Sequence, residues 1–462
     1  MEIIKADRLI QIVSDEIRKM KRILILGGGF AGVECCLDLE SYFKNDKDVE
    51  ITLVSEDNFL LFTPMLPQVA SGTIETRHIV TAIRTLIDKT RFFEAKIKNI
   101  DPYGKTVTLY GTAENRGVQL HYDFLVVALG SQTNFFGMKD VEDNAYTMKT
   151  LNDAVVLRNR IIDMMEQAEN ETDPILRKSL LRFIMVGGGF AGVETAGEIN
   201  DFVADISKYY PNIQTEDIKI TLVEAGSEIL TGFPRKLADF AKTKLMERGV
   251  EVLLNSGVSS FDGKQVYLEN TEKLDNKQGK TILASTLVWT AGVTPIDLIK
   301  DSLFKTEKGR IIVDEFLQVS AFPGVFAIGD CCKINPKLNK KQFPPTAQIA
   351  EAQAKTAARN LRCLLSNTEM EKFDYEWKGQ SAIIGKRTGV ASFFGMNIVG
   401  FWAFVAWRNL YLSKMRSLEK RLRVWIDWNV GLFFSRDISR LKVLKKESQI
   451  DYKELDEVDE VW

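Results

Sequence analysis

Apolar and polar residues alternate along the chain in a way that predicts repeated strand–turn–helix units. Short apolar runs at residues 23–26 and 183–186 are each followed by a glycine-rich turn and then by a segment with helical periodicity. Similar buried-strand patterns stand at residues 51–54 and 220–223, and a long helical pattern covers residues 151–169. Strands that alternate with helices form parallel sheets, so we expect an α/β fold.

The two glycine-rich turns carry the same eight residues, GGGFAGVE, at positions 27–34 and 187–194. In such a turn the first glycine makes the bend, the second lets the backbone approach a pyrophosphate, and the third lets the helix pack on the strand. The helix N-terminus then offers free N–H groups to the anion. The sequence therefore predicts two Rossmann-like dinucleotide-binding domains, which suggests a flavin and a nicotinamide in one protein. The candidate pyrophosphate-binding residues are Gly27, Gly29, Gly32, Gly187, Gly189 and Gly192.

Residues at the ends of later strands are the next candidates for binding these cofactors. Glu224 follows the second strand of the second unit, where a Rossmann domain binds a ribose hydroxyl. In the first unit Ser55 holds the usual position but lacks a charge, so we predict Glu56 for this role. A carboxylate at position 224 repels a 2′-phosphate, which favours NADH over NADPH. Two more strands end at Gly130 and Gly292, which we expect to border the cofactors.

Composition limits the remaining possibilities. A chain of 462 residues exceeds what one core supports, so about three domains are expected. The 61 basic residues nearly balance the 63 acidic ones, which gives no reason to expect a nucleic-acid partner. The five cysteines contain no C-x-x-C pair, so they indicate reduced thiols of a cytosolic chain and no zinc site. Only two histidines occur, which disfavours histidine general-base chemistry.

Narrower motifs accompany the two glycine turns. They are LFTPMLP at residues 61–67, YP at 210–211, PPTAQIAEAQ at 344–353 and IGK at 384–386. The two turns, the strand ends at Gly130 and Gly292, and GVFAIGD at residues 324–330 resemble the flavoproteins with two dinucleotide-binding domains over about residues 21–385. The narrower motifs are similar to those of the type II NADH dehydrogenases, which are single-subunit NADH:quinone oxidoreductases.

The resemblance implies a discontinuous FAD-binding domain with an NADH-binding domain inserted in it, followed by C-terminal amphipathic helices. In chain order, the predicted segments are an uncertain extension (1–20), the first FAD segment (21–150), the NADH domain (151–295), the second FAD segment (296–385), a membrane-association region (386–446) and an acidic tail (447–462).

The resemblance also implies noncovalent FAD in the first domain, NADH in the second and a quinone reached from the membrane side. Asp330 would bind the ribityl or phosphate region of FAD. Thr63 and Pro64 would border the isoalloxazine, and Ala347 would face the flavin and the quinone.

Few side chains need to be reactive, because hydride transfer from NADH to a flavin depends mainly on geometry and on the exclusion of water. Quinone reduction consumes two electrons and two protons, so a polar group near the carbonyls could stabilise developing negative charge. The resemblance places Gln348 and Lys386 near the quinone, and both suit that role. It places Glu194 near the nicotinamide, although the helix dipole alone would favour an acid there.

The composition changes after residue 395, because four of the seven tryptophans stand between residues 402 and 428. Such crowding is typical of a membrane interface, and five nearby cations would attract anionic lipids: Lys414, Arg416, Lys420, Arg421 and Arg423. We expect amphipathic helices at residues 401–412 and 415–428 that attach residues 395–440 to the cytoplasmic face of the cell membrane. The same helices could instead contact a second chain, and a homodimer is expected.

Two alternatives stay open at this point. Sulfide:quinone oxidoreductases share the fold and the membrane helices, but they need cysteines beside the flavin. Here no cysteine stands near Thr63 in the sequence or in the predicted second domain. A nonenzymatic sensor that binds NADH without turnover is compatible with the same sequence.

Overall fold

The computed structural model describes residues 20–110, 117–272, 279–335, 343–440 and 458–461. The expected N-terminal extension therefore lies outside the described residues, apart from Met20. The expected acidic tail lies outside them as well, apart from the backbone of Val458–Val461, which adds a parallel strand beside Gly117–His121.

The first Rossmann-like sheet has five parallel strands. Its central strand, Lys21–Leu26, pairs with Val49–Ser55 on one side and with Phe124–Val127 on the other. Arg91–Glu94 extends one edge and Val325–Ala327 extends the other. The last strand comes from a much later part of the chain, so this sheet is built from two separate segments.

The second sheet also has five parallel strands and repeats the arrangement of the first. Arg182–Val186 lies in the centre, between Lys219–Val223 and Thr286–Trp289. Glu251–Leu253 and Tyr146–Thr147 form the edges. All of these strands come from the chain between the two segments of the first sheet. The two sheets confirm the predicted α/β fold.

The helices of the described residues cover both sheets and end in a C-terminal pair. They are α1 (Phe30–Tyr42), α2 (Leu66–Ala70), α3 (Lys139–Asn144), α4 (Leu151–Asn170), α5 (Pro174–Leu180), α6 (Phe190–Ile206), α7 (Arg235–Glu247), α8 (Asp297–Lys300), α9 (Ala347–Leu365), α10 (Phe401–Lys414) and α11 (Leu418–Val430).

Shorter strands form smaller sheets at the margins of the two domains. One of them pairs Gln132–Thr133 with Val293–Thr294, the two places where the chain passes from one domain to the other. The others are Phe59–Leu61, Val80–Ala82, Ile97–Asp101, Thr106–Leu109, Gly117–His121, Ser256–Phe261, Gln265–Asn270, Lys280–Leu283, Thr306–Glu307, Arg310–Val313, Cys332–Ile334, Gly379–Ile383, Gly389–Phe393, Met396–Gly400 and Val458–Val461.

The C-terminal helices α10 and α11 each bury one face in the protein. Trp407 in α10 and Val424 and Trp428 in α11 join the core of the second domain. The two helices are separated because Met415 is extended and Ser417 accepts a hydrogen bond from the backbone of Lys420, which caps α11. Within the part of the chain that the structure describes, no helix is long and apolar enough to cross a membrane.

Candidate functional site

A cavity of about 670 Å³ lies between the domains, beside the first residues of the helices that follow the two glycine turns. Its volume lies in the range of small-molecule and cofactor sites. Phe30 at the start of α1 and Phe190 at the start of α6 both line it. Tyr411 and Lys414 of the C-terminal helix α10 line it as well. Six residues predicted from the sequence meet in its wall: Thr63, Pro64, Glu194, Gly292, Ala347 and Gln348.

The first glycine turn has the shape of a phosphate-binding turn. Gly27 has a φ of +111°, and a methyl group on it would lie 2.2 Å from the carbonyl oxygen of Ala128. A methyl group on Gly32 would lie 1.8 Å from the carbonyl oxygen of Gly27, so α1 packs directly on the turn. Gly29 differs, because a methyl group there would meet nothing within 4 Å. The space before the N-terminus of α1 is therefore open to a ligand.

The second turn reproduces these distances. Gly187 has a φ of +109°, and a methyl group on Gly192 would lie 1.8 Å from the carbonyl oxygen of Gly187. A methyl group on Gly189 would again meet nothing within 4 Å. Both turns thus fit a pyrophosphate at a helix N-terminus, which is the physical requirement for two dinucleotides.

The two units differ in the residue that follows the second strand. The Glu224 carboxylate accepts hydrogen bonds from the backbone N–H groups of Gly188, at 2.5 Å, and Gly226, at 2.6 Å. The strand register places Ser55 at the corresponding point of the first unit, where its hydroxyl lies beside Gly28. Glu56 is one position further along and exposed, so the geometry favours Ser55 over the predicted Glu56 beside the first turn.

Asp330 and Gly130 lie at the ends of neighbouring strands of the first sheet. Asp330 belongs to a short 3-10 turn and accepts a hydrogen bond from the Ser131 hydroxyl at 2.7 Å. The Lys149 ammonium lies 3.8 Å from the same carboxylate oxygen. Gly130 has a φ of +66° and makes the bend after its strand. Asp330 and Gly130, which the sequence predicts separately as cofactor-binding residues, therefore lie at the same edge of the first sheet.

Glu194 is buried on the α6 side of the cavity and is held by neutral donors. The backbone N–H of Ile383 donates to Oε1 at 3.0 Å, and the indole N–H of Trp407 donates to the same oxygen at 3.2 Å. Burial raises the pKa of Glu194 to about 8, because desolvation outweighs these two hydrogen bonds, and nearby Glu198 adds to the shift. This shift favours the protonated form of Glu194 near neutral pH.

Glu34 occupies the same position of the first octapeptide but has a different environment. Its buried carboxylate pairs with the Lys355 ammonium at 3.3 Å and with the Arg416 guanidinium. Two identical sequence segments thus hold one ion-paired and one neutral glutamate. The difference comes from distant residues of α9 and of the C-terminal helix pair.

Gln348 is fixed at the start of α9 by two hydrogen bonds. Its amide nitrogen donates to the carbonyl of Gly379 at 3.2 Å, and its amide oxygen accepts from the Tyr375 hydroxyl at 3.0 Å. Thr346 caps this helix by accepting from the backbone N–H of Ile349. Gln348 therefore presents a defined orientation in the cavity wall.

Lys386 does not line this cavity, and its predicted place beside the quinone stays a prediction. It is exposed in the turn after Ile384, where its backbone N–H donates to the Asp201 carboxylate and its carbonyl accepts from Arg248. The cations that do line the cavity were missed by sequence reasoning because they are scattered along the chain: Lys149, Lys355, Lys378 and Lys414.

The five C-terminal cations form ion pairs or hydrogen bonds with other groups of the protein. Lys414 pairs with Glu351 at 2.9 Å, Arg416 pairs with Glu34, and Arg423 pairs with a glutamate one turn away. Lys420 and Arg421 donate to backbone carbonyls. Three of the five cations therefore have acidic partners in the protein, and the attraction of anionic lipids to this segment stays a prediction.

The cysteines are free, and none lines the cavity. Burial raises the pKa of the thiols of Cys35, Cys36, Cys331 and Cys332, which disfavours thiolates. Among the described residues, no thiol that could form a dithiol pair or carry sulfide sulfur lines the cavity.

Comparison with known proteins agrees with this geometry. The family described as "Pyridine nucleotide-disulphide oxidoreductase" matches residues 21–354, and the "NDH2 C-terminal domain" matches residues 377–437. A Dictyostelium discoideum protein named "Probable NADH dehydrogenase" is 34% identical over 429 residues, which cover 91% of each chain.

Two further relatives extend the comparison. The Yarrowia lipolytica "External alternative NADH-ubiquinone oxidoreductase, mitochondrial" is 30% identical over 91% of this chain and 81% of its own. The solved structure titled "Structure of NDH2 from plasmodium falciparum in complex with NADH" has a TM-score of 0.84 at 24% identity, covering 91% of this chain and 99% of that one. This structural similarity shows a shared fold.

Proposed function

Because the chain belongs to the type II NADH dehydrogenases of the pyridine nucleotide-disulphide oxidoreductase family, we propose that it oxidises NADH and reduces a quinone at the cavity between its two glycine turns. The chain is an NADH:quinone oxidoreductase. The observation that carries the assignment is the shared cavity, which both octapeptide helices and the C-terminal helix α10 line. Ubiquinone is the acceptor named for the Yarrowia relative.

We propose that FAD binds noncovalently at the first turn and NADH at the second. FAD, when bound, accepts a hydride from NADH and passes two electrons to the quinone. Gly29 and Gly189 leave the space that each pyrophosphate needs, and Ser131 with Asp330 forms a polar group at the end of the first sheet. Thr63 and Pro64 close one side of the cavity and help to exclude water.

Two residues have the properties that quinone reduction requires. Gln348 is held by hydrogen bonds on both atoms of its amide and can orient a quinone carbonyl. Glu194 is a neutral acid in the wall of the same cavity and can donate a proton. These roles need no reactive lysine at position 386.

Replacing Glu224 by glutamine is expected to raise kcat/KM for NADPH relative to NADH by about tenfold, because the substitution removes a charge that repels a 2′-phosphate. The glutamine oxygen can still accept from the Gly188 N–H group, while its amide nitrogen cannot accept from Gly226, so the substitution keeps one of the two hydrogen bonds to the turn. Steady-state rates with both nucleotides measure the ratio. An unchanged ratio would show that Glu224 does not contact the ribose.

We also propose that the chain attaches to a membrane surface through an apolar face on and beside α10 and α11. Among its members, Trp402 is 70% exposed and Leu418 is 76% exposed, which is unusual for large apolar side chains in a water-soluble surface. The full set is Phe401, Trp402, Leu418, Leu422, Trp425, Phe433 and Phe434. Tyr411 of the same helix pair lines the cavity, so attachment would bring the cavity near the lipid phase. We keep the prediction from the sequence that the chain attaches to the cytoplasmic face of the membrane.

Changing Trp402, Leu418 and Leu422 together to serine is expected to weaken binding to neutral phosphatidylcholine vesicles by at least about tenfold, since each loses apolar burial in lipid. Dye reduction by NADH should not change. Vesicle cosedimentation measures the effect, and Leu303→Ser, at an exposed apolar position of the first domain, is the matched control. If both variants bind the vesicles equally well, the apolar face contacts another protein and not the lipid.

The proposed activity is tested by mixing the purified yellow protein with NADH and a short-chain soluble quinone. We expect many turnovers, with one quinol formed for each NADH consumed. A sensor would bind NADH without turnover. Sulfide given in place of NADH should produce no quinol, whereas a sulfide:quinone oxidoreductase would produce it.

A further inference from the structure

Both hydrogen bonds to Glu194 end on the same carboxyl oxygen. The indole N–H of Trp407 and the backbone N–H of Ile383 both donate to Oε1. A protonated carboxyl has one carbonyl oxygen, which accepts hydrogen bonds, and one hydroxyl oxygen, which carries the proton. Since Oε1 receives two N–H donors, the proton of neutral Glu194 belongs on Oε2.

We propose that Trp407 is a positioning residue for quinone reduction, which holds Oε1 of Glu194 so that Oε2 carries the transferable proton. The inference rests on the proposed function, because it concerns the proton that the quinone receives. It also gives the C-terminal helix α10 a second task besides membrane attachment. The helix carries one tryptophan outward, at position 402, and one inward, at position 407.

Packing keeps the Trp407 indole in place. Its side chain is 1% exposed, and its ring lies 4.3 Å from the ring of Tyr411 and 6.2 Å from that of Trp428, measured between centroids. The indole therefore has little freedom to turn away from Glu194. This fixed donor is what an oriented proton requires.

The charged and titratable groups around Glu194 are few. Glu198 lies one turn along α6 and is itself paired with Arg436 at 3.3 Å. On α10, Tyr411 is partly buried beside Glu194, and Lys414 lines the same cavity. None of these groups donates a hydrogen bond to Glu194 in the described part of the structure, so Trp407 is its side-chain donor there.

The proton balance of the step is simple. NADH gives up a hydride, which amounts to an electron pair and one proton. The Oε2–H bond of Glu194 breaks as one quinone oxygen gains the carboxyl proton, and the proton of the hydride accounts for the other hydrogen of the quinol. Each turnover therefore takes up one proton from solvent, the one that restores Glu194. The carboxylate that remains is stabilised by the same two N–H groups at Oε1 and regains a proton from water.

The test compares Trp407→Phe with Trp428→Phe. Each substitution removes one buried indole N–H from the same helix pair, but the Trp428 N–H donates to Gln68 at 3.1 Å instead of to Glu194. Loss of a donor to a carboxylate raises its pKa. With soluble quinone, kcat should fall at alkaline pH as Glu194 loses its proton, and we call this fall the alkaline limb. In Trp407→Phe we expect the alkaline limb to move up by about one pH unit. We also expect kcat at neutral pH to fall about tenfold, with KM for NADH unchanged.

Several outcomes separate the inference from a structural effect. Trp428→Phe should leave the alkaline limb in place, and adding Trp407→Phe to Glu194→Gln should cause no further loss of kcat. A limb that stays in place in Trp407→Phe, or one that moves equally in both tryptophan variants, would overturn the inference. If the wild-type protein itself fails to reduce quinone, the proposed function fails instead.

Discussion

Replacing Glu194 by glutamine is expected to slow quinone reduction by about a hundredfold or more and to leave NADH-dependent dye reduction nearly unchanged. The glutamine keeps the size of the side chain and can still accept from Trp407 and Ile383, but it has no transferable proton. General acid catalysis by a positioned group is worth roughly 10²–10⁴-fold, which sets the scale of the loss. Stopped-flow measurement of the two half-reactions separates them.

The pH dependence of this prediction follows from the raised pKa of Glu194. The acid is protonated below about pH 8, so quinone reduction by the wild-type protein should fall as the pH rises through that value. The Glu194→Gln variant should lack this limb. Stability should fall as the pH rises from about 4.5 to 8, because the unfolded chain releases the Glu194 proton in this range while the folded protein still holds it. The variant should therefore lose less stability than the wild type over the same range.

Glu34→Gln is the matched control, since it makes the same change at the same position of the repeated octapeptide. Glu34 pairs with Lys355 and Arg416, so its replacement leaves two cations without their partner. This should lower the melting temperature without moving the alkaline limb of quinone reduction. If Glu194→Gln slows dye reduction as much as quinone reduction, Glu194 acts on the nicotinamide or on the fold and not on the quinone.

Valine at Gly29 or Gly189 is expected to abolish one nucleotide site and spare the other. Both glycines have ordinary negative φ values of −81° and −72°, and a methyl group on either meets no protein atom within 4 Å. The fold should therefore tolerate valine at both positions. The added side chain would fill the space before the helix N-terminus, where a pyrophosphate must approach the backbone.

The Gly29→Val variant should purify folded but colourless, without FAD. The Gly189→Val variant should stay yellow, with its KM for NADH raised about a hundredfold or more. Flavin absorbance per protein and circular dichroism melting distinguish these outcomes. Gly32→Val is the contrasting control and should fail to fold, because its side chain would overlap the carbonyl of Gly27. Retention of FAD by Gly29→Val would show that the first turn does not bind it.

The features of the fold that depend only on neighbouring residues in the chain could be predicted from the sequence. A glycine turn between a buried strand and a helix needs only contiguous residues, and both turns have the predicted form. The strand ends at Gly130 and Asp330 were also recognisable, because ligands of parallel sheets lie at the carboxyl ends of strands.

Properties that depend on distant residues could not be predicted in this way. The two octapeptides are identical, yet Arg416 gives Glu34 an ion pair and Trp407 gives Glu194 a neutral donor. The sequence also does not show that the turn at Lys386 packs against Asp201, which stands far away along the chain. The C-terminal cations look free in the sequence because their partners, such as Glu351, lie far away along the chain.

The central claim is that one protein passes electrons from NADH to a quinone through two nucleotides held at its two glycine turns. Its most direct test is an anaerobic titration of the yellow protein followed by flavin absorbance. We expect about one NADH per flavin to bleach the colour and a stoichiometric amount of soluble quinone to restore it as quinol forms. Colour that NADH does not bleach, or that quinone fails to restore, would contradict the account.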